Sequence, residues 1–196
     1  MRQRLIKAAT VVLGPVCFLV RTLGIRYAVS RELRKVNRLG SSPTAREGIR
    51  VINSGYIQIG DNVTLGSYVD LVCYKGGNIT IGNNVFIGSG CIIGSDRGSV
   101  EIGHDTKIAE GVTIRASNHG MKVEQLIRLQ PNTIQDIKIG ADVWIGKGAM
   151  ICAGGEIQNG CVIGANAVVS RKTKTEPYFI YAGVPIKQIG SREDKG

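Results

Sequence analysis

Aliphatic residues recur at every sixth position along most of this chain of 196 residues. Four segments open runs in which an aliphatic residue directly precedes glycine, at 57–60, 79–82, 100–103 and 137–140. The repeated aliphatic positions are Ile59, Leu65, Leu71, Ile81, Ile87, Ile93, Ile102, Ile108, Ile114, Ile139, Ile145, Ile151, Ile157, Ile163 and Val169. A unit of six residues cannot bury its apolar side chain alone, so successive units must stack on one another. The pattern therefore predicts an all-β solenoid of about five coils, a parallel β-helix with three hexads in each coil.

Two other repetitive folds do not fit this spacing. Collagen requires glycine at every third position, whereas many of the 27 glycines here follow an aliphatic residue at every sixth position. Long amphipathic helices require apolar residues at alternating spacings of three and four, which this region does not sustain.

One long interruption breaks the repeat. Ile102 and Ile139 are 37 residues apart. One regular coil accounts for the first half of this distance, and the second half contains no regular hexads. The sequence therefore predicts a single long loop, which we assign to residues 120–136. We expect a basic, apolar N-terminal helical segment with a linker at 1–49, a β-helix domain at 50–175, and a C-terminal segment at 176–196.

The net charge of +10 is concentrated at the N-terminus, because residues 1–50 contain eleven Lys or Arg and only two acidic residues. The same segment contains an apolar run, Ala8–Val20, which is shorter than the roughly 20 residues that span a bilayer. Basic charge combined with apolar residues indicates a membrane surface more than a nucleic acid. Residues 1–38 are thus predicted to form one or two helices that cap the solenoid, attach peripherally to the inner face of a membrane, or do both.

The cysteines and histidines exclude most metal chemistry. Five cysteines without a Cys-x-x-Cys spacing are typical of small core residues in a reducing compartment, so we expect a cytoplasmic protein. Two histidines are too few for a three-histidine zinc site within one subunit, and no metal is expected.

Candidate chemistry lies where the repeat breaks, because loops and corners can bring unlike residues together. His119 follows Asn118 at the start of the long loop, and imidazole can accept and return a proton near neutral pH. From the residues alone, His119 is either a general base or an ordinary surface histidine. His104 occupies a regular turn position and is the weaker candidate.

Several motifs lie along the repeat in a particular order: Asn118-His-Gly120, Val143-Trp-Ile-Gly-Lys-Gly148, Val162-Ile-Gly-Ala-Asn-Ala167 and Tyr181-Ala-Gly-Val-Pro-Ile-Lys187. Together with the hexads, they make the chain resemble the left-handed β-helix hexapeptide acyltransferases over about residues 50–190. Within that family the sequence is most similar to the sugar O-acetyltransferases of surface-polysaccharide synthesis.

The resemblance implies transfer of an acetyl group from acetyl-CoA to a sugar hydroxyl of a surface polysaccharide, or of its lipid-linked or nucleotide-sugar precursor. His119 matches the family's general base for direct transfer, and Asn118 would orient the ring or the acceptor. Asp96 matches a residue that contacts the acceptor sugar. Cys91 departs from the family pattern, since some relatives have an active-site asparagine there, and this puts the acceptor's identity in doubt.

The resemblance also assigns residues to acetyl-CoA and implies a homotrimer with each active site between neighbouring subunits. Trp144 matches the aromatic residue of the pantetheine tunnel, and three further positions face the pantetheine arm: Gly146, Lys147 and Ala165. The positions that match phosphate contacts are Ser170, Arg171 and Lys187. About two extra residues precede Gly183, so Lys172, Lys174 or Arg192 is expected to replace some of these contacts.

Three other functions remain open. A xenobiotic acetyltransferase shares the Asn-His corner, but its loop is usually richer in aromatic residues than 121–136, which contains none. A serine acetyltransferase usually has proline after the histidine, where this chain has Gly120. A non-catalytic solenoid that acts as a scaffold or binds carbohydrate would need neither His119 nor a site for coenzyme A.

Overall fold

The computed structural model describes residues 23–24 and 26–193. The predicted apolar run Ala8–Val20 lies outside the described residues. A helix over residues 26–33 leads into a series of short strands, almost all of them parallel.

The strands form three parallel sheets that make the three faces of a prism, and each coil contributes one strand to each sheet. Sheet A contains β1 (Arg38–Leu39), β4 (Tyr56–Ile59), β7 (Asn78–Ile81), β10 (Ser99–Ile102), β15 (Ile137–Ile139) and β18 (Glu156–Ile157). Sheet B contains β2 (Thr44–Ala45), β5 (Thr64–Leu65), β8 (Phe86–Ile87), β11 (Lys107–Ile108), β16 (Trp144–Ile145), β19 (Val162–Ile163), β21 (Phe179–Ala182) and the antiparallel β22 (Lys187–Ser191). Sheet C contains β3 (Arg50–Asn53), β6 (Asp70–Cys73), β9 (Ile92–Ser95), β12 (Thr113–Arg115), β17 (Met150–Ile151) and β20 (Val168–Val169).

The repeated aliphatic positions build the core as predicted. All fifteen are buried, with at most 3% of their surface exposed. They also stack in register, since Ile108 pairs with Ile87 of the preceding coil and with Ile145 of the following one. Each sheet therefore contributes an inward row at these positions, and sheet A adds a second row two residues earlier: Ile57, Ile79, Val100 and Ile137. The prediction of a parallel β-helix is confirmed.

The described residues form six coils, and the first of them begins before residue 50. Leu39, Ala45 and Val51 form the first coil, in register with Ile59, Leu65 and Leu71 of the second. These residues already follow the six-residue period, although the small Ala45 makes that signal weak. Part of the segment 1–49 thus belongs to the β-helix, and Pro43 lies in its first corner.

The corners explain why glycine follows the aliphatic residue. A Cβ on Gly103 would lie 2.5 Å from both the carbonyl carbon of Gly140 and the backbone nitrogen of Ala141 in the next coil. The side chain must be absent there because the coils approach so closely. Positive φ is instead adopted two residues later, as at Asn84 and Asp105 (57° and 59°), where Asn and Asp tolerate it.

The N-terminal helix closes the open end of the first coil. Val29, Leu33 and Val36 pack on the core. Glu32 is buried, and its carboxylate accepts a hydrogen bond from the backbone N–H of Val51 at 2.8 Å, at the edge of sheet C. This contact satisfies a donor that would otherwise be exposed at a sheet edge.

The C-terminal residues extend sheet B, where β21 pairs in parallel with β19 and β22 folds back antiparallel to β21. No helix in the described part of the chain is long and apolar enough to cross a membrane.

Candidate active site

The long loop leaves the solenoid at the corner between sheets C and A, after β12. Ser117–Asn118 (β13) pairs antiparallel with Thr133–Ile134 (β14), so the two ends of the loop lie side by side. The Gln135 N–H then donates to the carbonyl of Ala116 at 3.1 Å, which returns the chain to the regular stack. We call residues 120–132 the site loop; its 3₁₀ turn is Ile127–Leu129.

Gln130 holds the site loop in one conformation. Its Oε1 accepts from the Lys122 N–H at 2.8 Å, and its Nε2 donates to the carbonyls of Lys122 and Gln125 at 2.8 and 2.6 Å. Gly120 packs against this side chain, because a Cβ on Gly120 would lie 2.8 Å from Gln130 Cβ. The start of the loop, directly after His119, is therefore tightly constrained.

His119 lines a cavity of about 570 Å³ beside the loop. The cavity walls are Asn118, His119, Met121, Thr133, Ile134, Gln135, Cys152, Ala153, Ser170, Arg171 and Lys172. The walls contain two cationic side chains and no acidic one, so the cavity suits an anionic group such as a phosphate. The His119 side chain is exposed, and its ring makes no hydrogen bond to any described residue. It is therefore free to contact a substrate.

Asp96 lies at the same corner one coil earlier. Its Oδ2 accepts a hydrogen bond from Asn132 Nδ2 at 3.0 Å, and Arg97 Nε lies 3.4 Å from its Oδ1. Asp96 is thus a contact of the site loop and does not line the cavity itself.

The predicted cofactor residues fall into two groups on one chain. Ser170 and Arg171 line the His119 cavity. The second group lies on sheet B and at the corner between sheets B and C, on the opposite side of sheet C: Trp144, Gly146, Lys147, Ala165 and Lys187. The Gly146 N–H donates to Ile163, the Asn166 N–H donates to Lys147, and Lys187 follows the turn that ends at Ile186. One chain therefore does not bring the whole predicted set together.

Trp144 lies on the outer face of sheet B with 55% of its surface exposed. A cleft of about 200 Å³ beside it also contains Lys107 and Arg192. The Arg192 guanidinium donates to Asp142 Oδ2 at 2.7 Å and to the carbonyl of Gly160 at 3.0 Å. Arg192 is consequently already engaged by an acidic partner, whereas Lys172 lines the His119 cavity and Lys174 an adjoining cleft.

Two other candidate reactive side chains, His104 and Cys91, lie away from the cavity. His104 Nδ1 is 2.6 Å from Asp105 Oδ2, and this hydrogen bond, with a second from Asn84, keeps the pKa of Asp105 below its ordinary value. Cys91 is completely buried, with Sγ 3.0 Å from the carbonyl of Ala109, and burial raises the pKa of its thiol. Among the described residues, no group of His, Cys, Asp and Glu is arranged to hold a metal ion.

Sequence reasoning missed Gln130 in the loop and most of the cavity wall outside the His119 corner and 170–172: Met121, Thr133, Ile134, Gln135, Cys152 and Ala153. Cys152 occupies a regular corner position, and only the return of the loop beside it creates a cavity. No signal in the sequence distinguishes Gln130 from Gln125 in the same loop.

Comparisons with known proteins agree with this architecture. The family model described as bacterial transferase hexapeptide (six repeats) matches residues 136–171, and the model for the hexapeptide repeat of succinyl-transferase matches residues 78–116. The putative lipopolysaccharide biosynthesis O-acetyl transferase WbbJ of Escherichia coli K12 is 35% identical over 145 residues, which cover 70% of this chain and 72% of that protein.

Two further similarities are more limited. A chloramphenicol acetyltransferase of Escherichia coli is 49% identical over 57 residues, 29% of this chain and 26% of that protein. The crystal structure of AntD, an N-acyltransferase from Bacillus cereus in complex with dTDP and 3-hydroxybutyryl-CoA, superimposes with a TM-score of 0.71 at 22% identity, covering 83% of this chain and 88% of that one. The likeness to AntD concerns the fold.

Proposed function

This chain belongs to the hexapeptide-repeat transferases and is an acyltransferase, and from this premise we propose that it transfers an acetyl group from acetyl-CoA to a sugar hydroxyl of a surface-polysaccharide precursor. The observation that carries the proposal is the cavity in which His119 lies beside Ser170, Arg171 and Lys172. The naming of WbbJ as a lipopolysaccharide biosynthesis O-acetyl transferase supports a glycan acceptor.

In the proposed reaction, His119 accepts the proton of the acceptor hydroxyl while that oxygen attacks the thioester carbonyl. The resulting tetrahedral intermediate collapses, its C–S bond breaks, and the leaving thiolate takes the proton back from the imidazolium. No bond to the protein forms, which fits a cavity whose one thiol, that of Cys152, has a pKa raised by burial. A general base of this kind contributes about 10²–10⁴-fold to the rate.

The two groups of predicted cofactor residues support a homotrimer. If three chains close around an axis with sheet C facing inward, the C–A corner of one chain lies beside the B–C corner of the next. His119 of one subunit would then face Trp144 and Lys147 of its neighbour, and the site would be complete only in the assembly.

The outer faces of the sheets favour this orientation. The outward positions of sheet C include four apolar residues beside three charged ones: Ile52, Ile92, Met150, Val168, Arg50, Asp70 and Arg115. The outward positions of sheet A are mostly polar, with Tyr56 as the large apolar exception; the polar ones include Gln58, Thr80, Glu101, Lys138 and Glu156. The site loop adds exposed aliphatic side chains beside sheet C: Met121, Val123, Leu126, Ile127 and Leu129. An assembly that buries sheet C and the loop would remove most of this apolar surface from water.

The decisive experiment measures thiol release from acetyl-CoA in the presence of nucleotide sugars and short lipid-linked saccharides. We expect His119→Ala to lower the rate by about 10²–10⁴-fold. His104→Ala is the matched control, because it removes the other histidine, which is exposed and paired with Asp105 away from the cavity. Equal rates in the two variants would contradict the role of His119.

Two other functions are tested by the same assay. The local similarity to a chloramphenicol acetyltransferase favours a xenobiotic acceptor, so chloramphenicol belongs in the acceptor panel. If the protein is a non-catalytic scaffold, it should neither bind acetyl-CoA nor turn it over. Calorimetry with acetyl-CoA tests the binding.

A further inference from the structure

The helix that closes the first coil has one acidic side chain, and that side chain points inward. Glu32 is buried, accepts the Val51 N–H and pairs with Lys35 Nζ at 2.7 Å. Arg26, on the outward side of the helix, and Arg34, directly after the helix, are both exposed. The only carboxylate of the helix is therefore neutralised within the fold, and the helix presents cations to solvent.

Large apolar side chains accompany these cations. Tyr27 is 67% exposed and Leu23 is 56% exposed, on the same short segment as Arg26. Beside the helix, a cavity of about 660 Å³ is lined by Arg26, Arg34, Leu39 and Pro43 among others. We call the surface formed by these six residues the basic end of the solenoid.

The sequence next to the basic end has the same character. Residues 1–22, which precede it, contain four Lys or Arg and no Asp or Glu. An anionic bilayer attracts each nearby cation, and the interface between headgroups and acyl chains accommodates tyrosine and leucine. A nucleic acid would satisfy the cations but would gain little from the exposed leucines.

We propose that the basic end docks peripherally on a bilayer that contains anionic phospholipid. Arg26 and Arg34 lie against the headgroups, and Leu23, Tyr27 and Leu39 contact the acyl boundary. The interaction is independent of catalysis, because the basic end begins three coils before the coil that carries His119. If the acceptor of the proposed function is a lipid-linked saccharide, this docking holds the active site near it.

The test is flotation of the full chain with vesicles of phosphatidylcholine containing 30% phosphatidylglycerol, compared with pure phosphatidylcholine. We expect binding only to the anionic vesicles, and weaker binding at high salt. The double variant Arg26→Gln/Arg34→Gln should bind about 30-fold more weakly. Tyr27→Ser should weaken the binding that remains at high salt.

The matched control is Lys75→Gln/Lys138→Gln, which removes the same charge from exposed positions outside the basic end and should bind like the wild type. Thiol release with a water-soluble acceptor should be unchanged in both double variants, which separates docking from the proposed activity. Equal binding by the two double variants would overturn the proposal. So would binding to a DNA duplex without binding to vesicles.

Discussion

The repeated aliphatic positions form inward rows along the solenoid, which we call the hexad rows. The hexad rows and the site loop both contain many aliphatic residues, but these residues are buried in the rows and exposed in the loop. Ile108 and Ile145, neighbours in one row, are completely buried, whereas Val123 and Ile127 in the loop are 94% and 59% exposed. The difference lies in spacing, since only a side chain at the six-residue period faces the core of the prism. In the loop, backbone position is fixed by the polar contacts of Gln130 instead.

The two regions therefore have different tasks. The rows provide stiffness that depends on no single contact, because every coil repeats the packing of its neighbours. The loop uses aliphatic residues on its surface, where they are available to another chain or to a substrate. Variants in the two regions should consequently affect different measurements.

The largest difference should appear in the reactivity of the cysteines. Cys73, Cys91 and Cys161 are buried in the solenoid, whereas Cys152 is partly exposed in the His119 cavity. In a Cys17→Ser background, N-ethylmaleimide should modify Cys152 first. The other three thiols should react at least about 10³-fold more slowly, because they require the coils to open. Mass spectrometry of the labelled peptides measures this ratio.

Burial raises the pKa of the Cys152 thiol, and the thiolate is the reactive form. Its labelling rate should therefore keep rising with pH beyond the point at which an ordinary thiol is fully ionised. Cys152→Ala removes the fast phase and serves as the control. Comparable rates at all four thiols would show that the rows open much more readily than their packing implies.

The next largest effect should be on folding. Ile145→Ala removes a completely buried side chain and should lower the free energy of unfolding by about 2–5 kcal/mol at any protein concentration. Ile127→Ala, the same substitution in the loop, should weaken the proposed trimer instead. Denaturation at two protein concentrations separates these cases. An Ile127→Ala variant identical to the wild type at both would mean that the loop faces solvent.

The rows were predictable because a strict period leaves one arrangement of the aliphatic residues, and all fifteen predicted positions are in the core. The first coil was harder to predict, since Ala45 contributes little apolar surface and lies among charged residues. The conformation of the loop could not be predicted, because its antiparallel pairing and the contacts of Gln130 depend on distant backbone groups.

The site was only partly predictable for a different reason. Hexad counting assigns His119 and Trp144 to their coils, but it does not say which corners of different chains meet. Asp96 shows the same limit, because its contact with Asn132 joins residues 36 positions apart through a loop of irregular shape. The roles of these residues toward substrates remain predictions.

A smaller effect, on activity alone, is expected at the junction of the two regions. A Cβ on Gly120 would lie 2.8 Å from Gln130 Cβ and 2.9 Å from the carbonyl oxygen of Pro131. Gly120→Ala should therefore displace the start of the loop and His119 with it. A displacement of about 1 Å can cost about 10²-fold in rate.

Thiol release measures this loss, and thermal unfolding should show little change. Gly24→Ala is the matched control, because a Cβ on Gly24 meets nothing within 4 Å. Full activity in Gly120→Ala would indicate that the loop adjusts without moving His119.

The smallest predicted effect is a gain in stability at a corner of the coils where a side-chain hydrogen-bond acceptor is missing. At the corner between sheets A and B, Asn83 Oδ1 accepts the Asp61 N–H and Asn159 Oδ1 accepts the Ala141 N–H, both at 2.9 Å. Position 141 is alanine, so the N–H of His104 has no matching acceptor among the described residues. Ala141→Asn would supply a side-chain acceptor for the His104 N–H, while the Asn83 N–H opposite His104 would still have none among the described residues.

One added hydrogen bond of this kind contributes about 0.5–1.5 kcal/mol, which corresponds to a rise of roughly 1–6 °C in the melting temperature for a chain of this size. Asn159→Ala is the reciprocal control and should lower the melting temperature by a similar amount, because it removes the existing acceptor. If Ala141→Asn were destabilising while Asn159→Ala behaved as expected, the corner at His104 would be too closely packed for a further side chain. The hexad rows would then be regular in their core but not in the polar contacts of their corners.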